Sequence, residues 1–171
     1  ANAALVRAFA NGYLYTGDES LLDPAFGTQQ FLIDHLWNGA AFGGSVAPAE
    51  DAGDDADGES NSNSGNTDGT AEFGPRRDLT AYAGGNALIA DALLTLAAYT
   101  DDETAREYAT RVLEELGSEY VAADGTVAHV DSGEPRLLLE DHARVVAAFT
   151  RARQVLGPNA LATDRTPTRV A

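Results

Sequence analysis

Apolar positions recur at helical spacing along most of this chain. Over residues 85–100, Leu88, Ile89, Ala92, Leu93, Leu96, Ala97 and Tyr99 surround the axis, and only Asp91 and Thr95 are polar inside the run. A helix that is apolar on nearly all sides is buried on nearly all sides. Over 103–119, Ala105, Tyr108, Ala109, Val112, Leu113 and Leu116 make one stripe, with Arg106, Glu107, Arg111, Glu114 and Glu115 on the other face. That pattern predicts an outer helix, solvated on one side. Residues 2–16 and 21–37 follow the same logic, inner then outer, around a turn at Gly17–Asp18. A third buried helix is expected from near Leu138 through Val145, Val146, Phe149, Ala152 and Val155, stopped by Gly157–Pro158. Before it, Thr126–Val130 within "DGTVAHVDSGEP" is a short extended piece bounded by turn residues.

The two helix pairs also share wording. With Asn2 placed on Asn86, Tyr15 falls on Tyr99, Thr16 on Thr100, Asp18 on Asp102 and Glu19 on Glu103. Such an echo marks repeated helical hairpins, each unable to bury its inner helix alone. The expected organisation is a first hairpin over 1–45, an insertion over 46–75, a second hairpin plus third inner helix over 76–157, and an aperiodic tail over 158–171. Residues 46–75 have no periodicity and an Asp/Ser/Asn/Gly bias, which predicts an acidic disordered loop. "DAGDDADGES" is not a calcium loop, because no frame puts Gly sixth and Glu twelfth after an Asp.

Charge narrows the function classes. The chain holds 27 acidic residues against 11 basic ones, all of them Arg, for a net charge of −16. Eight of the acids lie in 46–75, so the rest carries a moderate −8. This balance repels phosphate backbones and argues against a nucleic-acid partner. An acid-rich chain without Lys points to a salt-adapted, haloarchaeal-like protein, in which molar salt screens the repulsion to about 3 Å. There is no run of 18 apolar residues, so no membrane-spanning helix is expected. Cys and Met are both absent, and the first residue is Ala1. Disulfides, thiolate nucleophiles and zinc–sulfur sites are thereby excluded; the missing initiator suggests a piece of a longer protein.

Hairpins with buried inner helices match the (α/α) toroid of the six-hairpin glycosidase-like architecture. Three phrases, "YAGGNALIADALLTLAAYTDDE", "DGTVAHV" and "LLLEDHARVVAAFTRARQVLG", come in the order found in one branch of it. The chain over about 1–157 thus resembles the toroid part of thioredoxin-domain-containing proteins of the spermatogenesis-associated type. "LWNGAAFGGSVAP" resembles the Gly-rich turn before that family's next hairpin. The resemblance implies an all-α fold, a partial (α/α) toroid of two to three helical hairpins with inner and outer helices. It also implies a cytoplasmic protein, a longer chain including a thioredoxin-like domain, a carbohydrate-like small-molecule partner and no cofactor. With no Cys present, it carries no redox chemistry to these residues.

In such a toroid the N-terminal ends of the inner helices face one mouth. Their unpaired N–H groups and partial positive charge suit polar or anionic ligands. The catalytic candidates are Asp141, Glu140, His142 and His129; the substrate-binding candidates are Asn86, Tyr82, Asn2 and Arg136. "LLLEDHAR" offers carboxylates and an imidazole for general acid–base work on a sugar ring. Adjacent helical residues point about 100° apart, however, so Glu140 and Asp141 do not face one cavity together. The structural alternatives are a carboxylate stabilising the helix start, Glu140 paired with Arg144 at i+4, a hydrogen-bonding role for His129, and Asn86 as a cap. His35 is an ordinary outer-helix residue, and Trp37 and Phe42 fit core packing better than sugar stacking. No metal site is expected: no two His stand at i,i+3 or i,i+4. No Ser–His–Asp triad, P-loop or dinucleotide motif occurs. Two functions stay open, a carbohydrate-processing module of hydrolase or epimerase type and a non-catalytic helical-repeat scaffold or protein-interaction module.

Overall fold

The computed structural model describes residues 2–46, 77–131, 136–158 and 161. Its helices are α1 (Asn2–Thr16), α2 (Leu22–Leu36), α3 (Ala83–Thr100), α4 (Glu103–Glu115) and α5 (Leu139–Val155). α1 packs on α2, and α3 packs on α4, as two hairpins. α3 also packs against both α1 and α5, so the three inner helices stand in a row with α3 in the middle. This is an arc of an (α/α) toroid, with α2 and α4 on the outside. Among the described residues no helix is long and apolar enough to cross a membrane.

The central position explains the composition of α3. Every residue from Ala83 to Ala97 is buried except Gly85 and Leu88. Leu93, Leu94 and Leu96 are almost fully enclosed, and truncating any one to Ala costs about 2–5 kcal/mol. α1 and α5 depart from the all-round burial expected of them. α1 buries only Val6 and Ala10 and leaves Leu5, Leu14 and Tyr15 exposed. α5 buries Asp141, Val145, Ala148 and Ala152 but exposes Leu139 and Val146. Each of these helices has α3 on one flank and no inner helix on the other among the described residues.

The sequence echo is one turn built twice. Thr16 Oγ1 donates to the carbonyl of Gly12 at 2.7 Å, and Thr100 Oγ1 to that of Leu96 at 2.8 Å, closing α1 and α3 alike. The next residue is left-handed in both, Gly17 at φ 70° and Asp101 at φ 55°. Asp18 then accepts from the Ser20 N–H at 3.0 Å, and Asp102 from the Thr104 N–H at 2.9 Å. In the second hairpin this caps α4; in the first it caps a single tight turn, Glu19–Leu21, that leads into α2.

A two-stranded sheet, which the hydrophobic pattern does not announce, joins the hairpins. β1 (Gly43–Val46) pairs antiparallel with β2 (Arg77–Ala81), with a bulge between Gly43 and Ser45. "GGSV" and "RDLTA" are short and lack apolar alternation, so no strand signal stands out. The ladder brings Val46, where the expected insertion begins, opposite Arg77, two residues past its expected end. Apart from Val46, the segment 46–75 lies outside the described residues, as does the tail 158–171 apart from Pro158 and Leu161. Trp37 packs edge-on against Phe42 and Tyr108, at ring separations of 5.0 and 4.9 Å, so this aromatic group seals α2 to α4.

The outer helix also ends differently from the 103–119 expected. After Glu115 the chain widens over Leu116–Tyr120, and the Val121 N–H reaches back to the Leu116 carbonyl. The wider turn swings Tyr120 into the core, where its hydroxyl donates to the Ala81 carbonyl at 3.2 Å. The extended piece follows as two bridges, Val121 with Val127 and Tyr82 with Val130.

Candidate functional site at the mouth of the inner helices

The start of α3 is organised by backbone from the loop before α5. Tyr82 is the residue before the helix and makes no side-chain cap. Instead the Ala83 N–H donates to the His129 carbonyl at 2.9 Å, which fixes His129 over the helix end. The His129 N–H in turn donates to the Arg136 carbonyl at 3.0 Å. From α5, Asp141 in the first turn turns its carboxylate inward. His129 Nδ1–H donates to Asp141 Oδ2 at 2.7 Å, and the His129 ring lies 5.1 Å from that of Tyr82.

Burial separates the two partners. Asp141 is 3% exposed, whereas the His129 side chain is 28% exposed. The carboxylate rests on Gly84, in the first turn of α3, where any Cβ would overlap Oδ1. The positive ends of α3 and α5 therefore both meet this carboxylate. His129 Nε2 has no protein partner among the described residues. A carboxylate on Nδ1–H and a free Nε2 fix the imidazole as a base aimed away from Asp141.

The other candidates divide by geometry. His142 has both nitrogens engaged: Nε2 accepts from the Val127 N–H at 3.1 Å and Nδ1–H donates to the Leu138 carbonyl at 2.9 Å. That makes it a brace between loop and helix, with both ring nitrogens taken up by the backbone. Glu140 points outward and pairs with Arg144 one turn on. Arg136 contributes its carbonyl to the loop and is exposed.

Asn2, Tyr82 and Asn86 line one cleft of about 170 Å³ with Leu32, Leu36, Phe42 and Leu88. Typical ligand pockets hold about 300–1,000 Å³, so this space admits part of a ligand. Asn86 does not cap α3, since the helix begins three residues earlier, with both glycines inside its first turn. Its amide is a clamp: Oδ1 accepts from the Phe42 N–H at 2.8 Å, while Nδ2 donates to the carbonyls of Phe42 and Tyr82 at 2.9 and 3.1 Å. It walls the cleft with no donor to spare. Tyr82 joins the cleft to the His129–Asp141 pair. Among the described residues no group of three His, Cys, Asp or Glu is placed to hold a metal ion.

Sequence reasoning missed the packing role of Gly84 and a second charged cluster around Asp91. Asp91 was legible as one of two polar residues inside α3, and the echo sets Arg7 at the matching place in α1.

No protein-family model matches the sequence, and no curated protein does. A solved structure does match in fold: the cellobiose 2-epimerase of Spirochaeta thermophila DSM 6192, at a TM-score of 0.69 and 16% identity. The match covers 94% of this chain and 40% of the enzyme, so the chain spans two fifths of that protein's length. The described helices are, in fold, a partial (α/α) toroid.

Proposed function

We propose that the chain is part of a carbohydrate-processing toroid in which His129 and Asp141 form the proton-transferring pair. One observation carries this reading: His129 Nδ1–H is held by a buried carboxylate at 2.7 Å while Nε2 is left free beside Tyr82. Inverting the carbon next to a sugar's carbonyl requires removing a proton there and returning it on the other face. A histidine oriented by a carboxylate is suited to the exchange on the face it addresses, with solvent water exchanging the proton on the other. The fold similarity to a cellobiose 2-epimerase supports the choice of substrate class. Asn2 and Tyr82, on the cleft wall, would receive the sugar's hydroxyls. In the same proposal the chain, with its acidic insertion, belongs to a salt-adapted cytosolic protein that also carries a thioredoxin-like domain. The ordered family phrases and the Lys-free charge of −16 support that part.

The test is deuterium uptake at C2 of cellobiose in D2O. Uptake above the buffer rate, lost in His129→Ala and reduced about 10²-fold in Asp141→Asn, supports the proposal. No uptake with the native chain refutes it. A scaffold or interaction module is the second reading. It draws on the exposed Leu5, Leu14 and Tyr15 of α1 and expects cellobiose to be ignored.

A further inference from the structure

Half-way along the inner helices one carboxylate stands between two arginines. Asp91 of α3 accepts from Arg7 Nη1 of α1 at 2.8 Å through Oδ2, and from Arg151 Nε of α5 at 3.1 Å through Oδ1. The Asp91 side chain is 9% exposed, but those of Arg7 and Arg151 are 48% and 31% exposed. Two guanidiniums thus converge on one buried anion with their outer parts open to water. Leu88, Asp91 and Ala98 share a stripe of α3 by helical period, and Leu88 and Ala98 are exposed. Leu88 also lines the cleft, so this stripe begins at the mouth.

The charges do not balance. Each guanidinium has five N–H donors in a planar fork, and each directs one of them at Asp91. No other protein partner takes the remaining donors among the described residues. α1 has no acidic residue, α3 has only Asp91, and α5 has only Glu140 and Asp141 at its far end. The cluster therefore keeps a net charge of +1 within a chain of net −16. Each arginine ties one neighbouring helix to α3 and still turns part of its fork toward water, which leaves donors for another anion.

We infer that Arg7 and Arg151 form an oxyanion-binding site, with Asp91 holding the two forks side by side for a carboxylate or phosphate. Taken with the proposed function, which supplies the sugar part, the ligand class becomes an acidic or phosphorylated sugar. The oxyanion part stands on the arginines alone.

Calorimetric titration with inorganic phosphate, glucuronate and glucose, at fixed chloride and ionic strength, tests it. Both anions should bind more tightly than glucose, and Arg7→Gln or Arg151→Gln should each weaken them about tenfold. Asp91→Asn, which removes the competing charge, should tighten phosphate, an effect that a purely structural tie does not produce. If a Gln variant melts early by circular dichroism, Arg151→Lys keeps the charge, loses the fork and should still weaken binding. Anions that bind no better than glucose, or that ignore both arginine substitutions, overturn the inference. Glucuronate that binds no tighter than phosphate upholds the oxyanion site and counts against the sugar reading.

Discussion

Asp141 lies on Gly84 with no room between them: a Cβ at residue 84 would overlap the carboxylate oxygen Oδ1 and stand 3.2 Å from Arg144 Nη1. Gly84→Ala ordinarily favours a helix, by about 0.5–1 kcal/mol. Here the sign should invert. The added methyl displaces a buried carboxylate and its hydrogen bond to His129, so destabilisation of about 1–3 kcal/mol is expected. Urea denaturation of Gly84→Ala against the native chain measures it, and a stabilised variant would contradict the close approach.

Asn86 and Phe42 are joined by both edges of one amide, although 44 residues separate them. Asn86→Ala strands the Phe42 N–H and carbonyl in a buried setting, at a cost of about 2–4 kcal/mol, while the Tyr82 carbonyl keeps the backbone N–H of residue 86. The amide of Phe42 should lose its protection from hydrogen exchange before the α3 amides do. Equal loss along both would mean that the clamp is no more than part of the helix.

Tyr120 ties the outer-helix end to β2, and its titration should be visible. Burial first, then the charges of Asp131, Glu115 and Glu119, push its hydroxyl up to about 12. In the unfolded chain it ionises near 10. Between these values the unfolded state releases its proton first, so stability falls as pH rises from 10 to 12. Tyr120→Phe should be less stable near neutral pH by about 1 kcal/mol for the lost bond to Ala81, and flatter across the alkaline window. Melting curves at stepped pH compare the two.

The reach of the sequence is clearest in α3. Its nearly all-round apolarity names a helix with neighbours on nearly every side, and α3 has them except where Gly85, Leu88 and Ala98 are exposed. α1 carries similar wording yet is open on one flank, because a pattern encodes what a helix can bury and not which neighbours are present. The Thr–x–Asp turns are local, so the echo at Thr16 and Thr100 was legible as structure. The Asn86 clamp is long-range, and nothing near Asn86 in the chain announces Phe42. His129 and Asp141 could both be named as candidates. Which histidine meets which carboxylate depends on how the loop bridges to Tyr82, and that register left His142 bracing Val127 instead.

The acidic surface should make the fold respond to salt. With net charge −16 and no Lys, repulsion between carboxylates weakens as the screening length shrinks from about 10 Å at 0.1 M to about 3 Å at 1 M. The melting temperature should rise from dilute buffer to molar KCl. A flat or falling curve would remove the salt-adapted reading.

The proposed chemistry turns on one imidazole, which long-range proton–nitrogen NMR of the three histidines with added cellobiose reads out. His129 should carry its proton on Nδ1, its free Nε2 should shift as cellobiose is added, and the His142 signal should stay still. Asp141→Asn should abolish that response while the helices remain folded. A His129 signal unmoved up to the solubility limit of the sugar, or a change confined to His142 or His35, would contradict it.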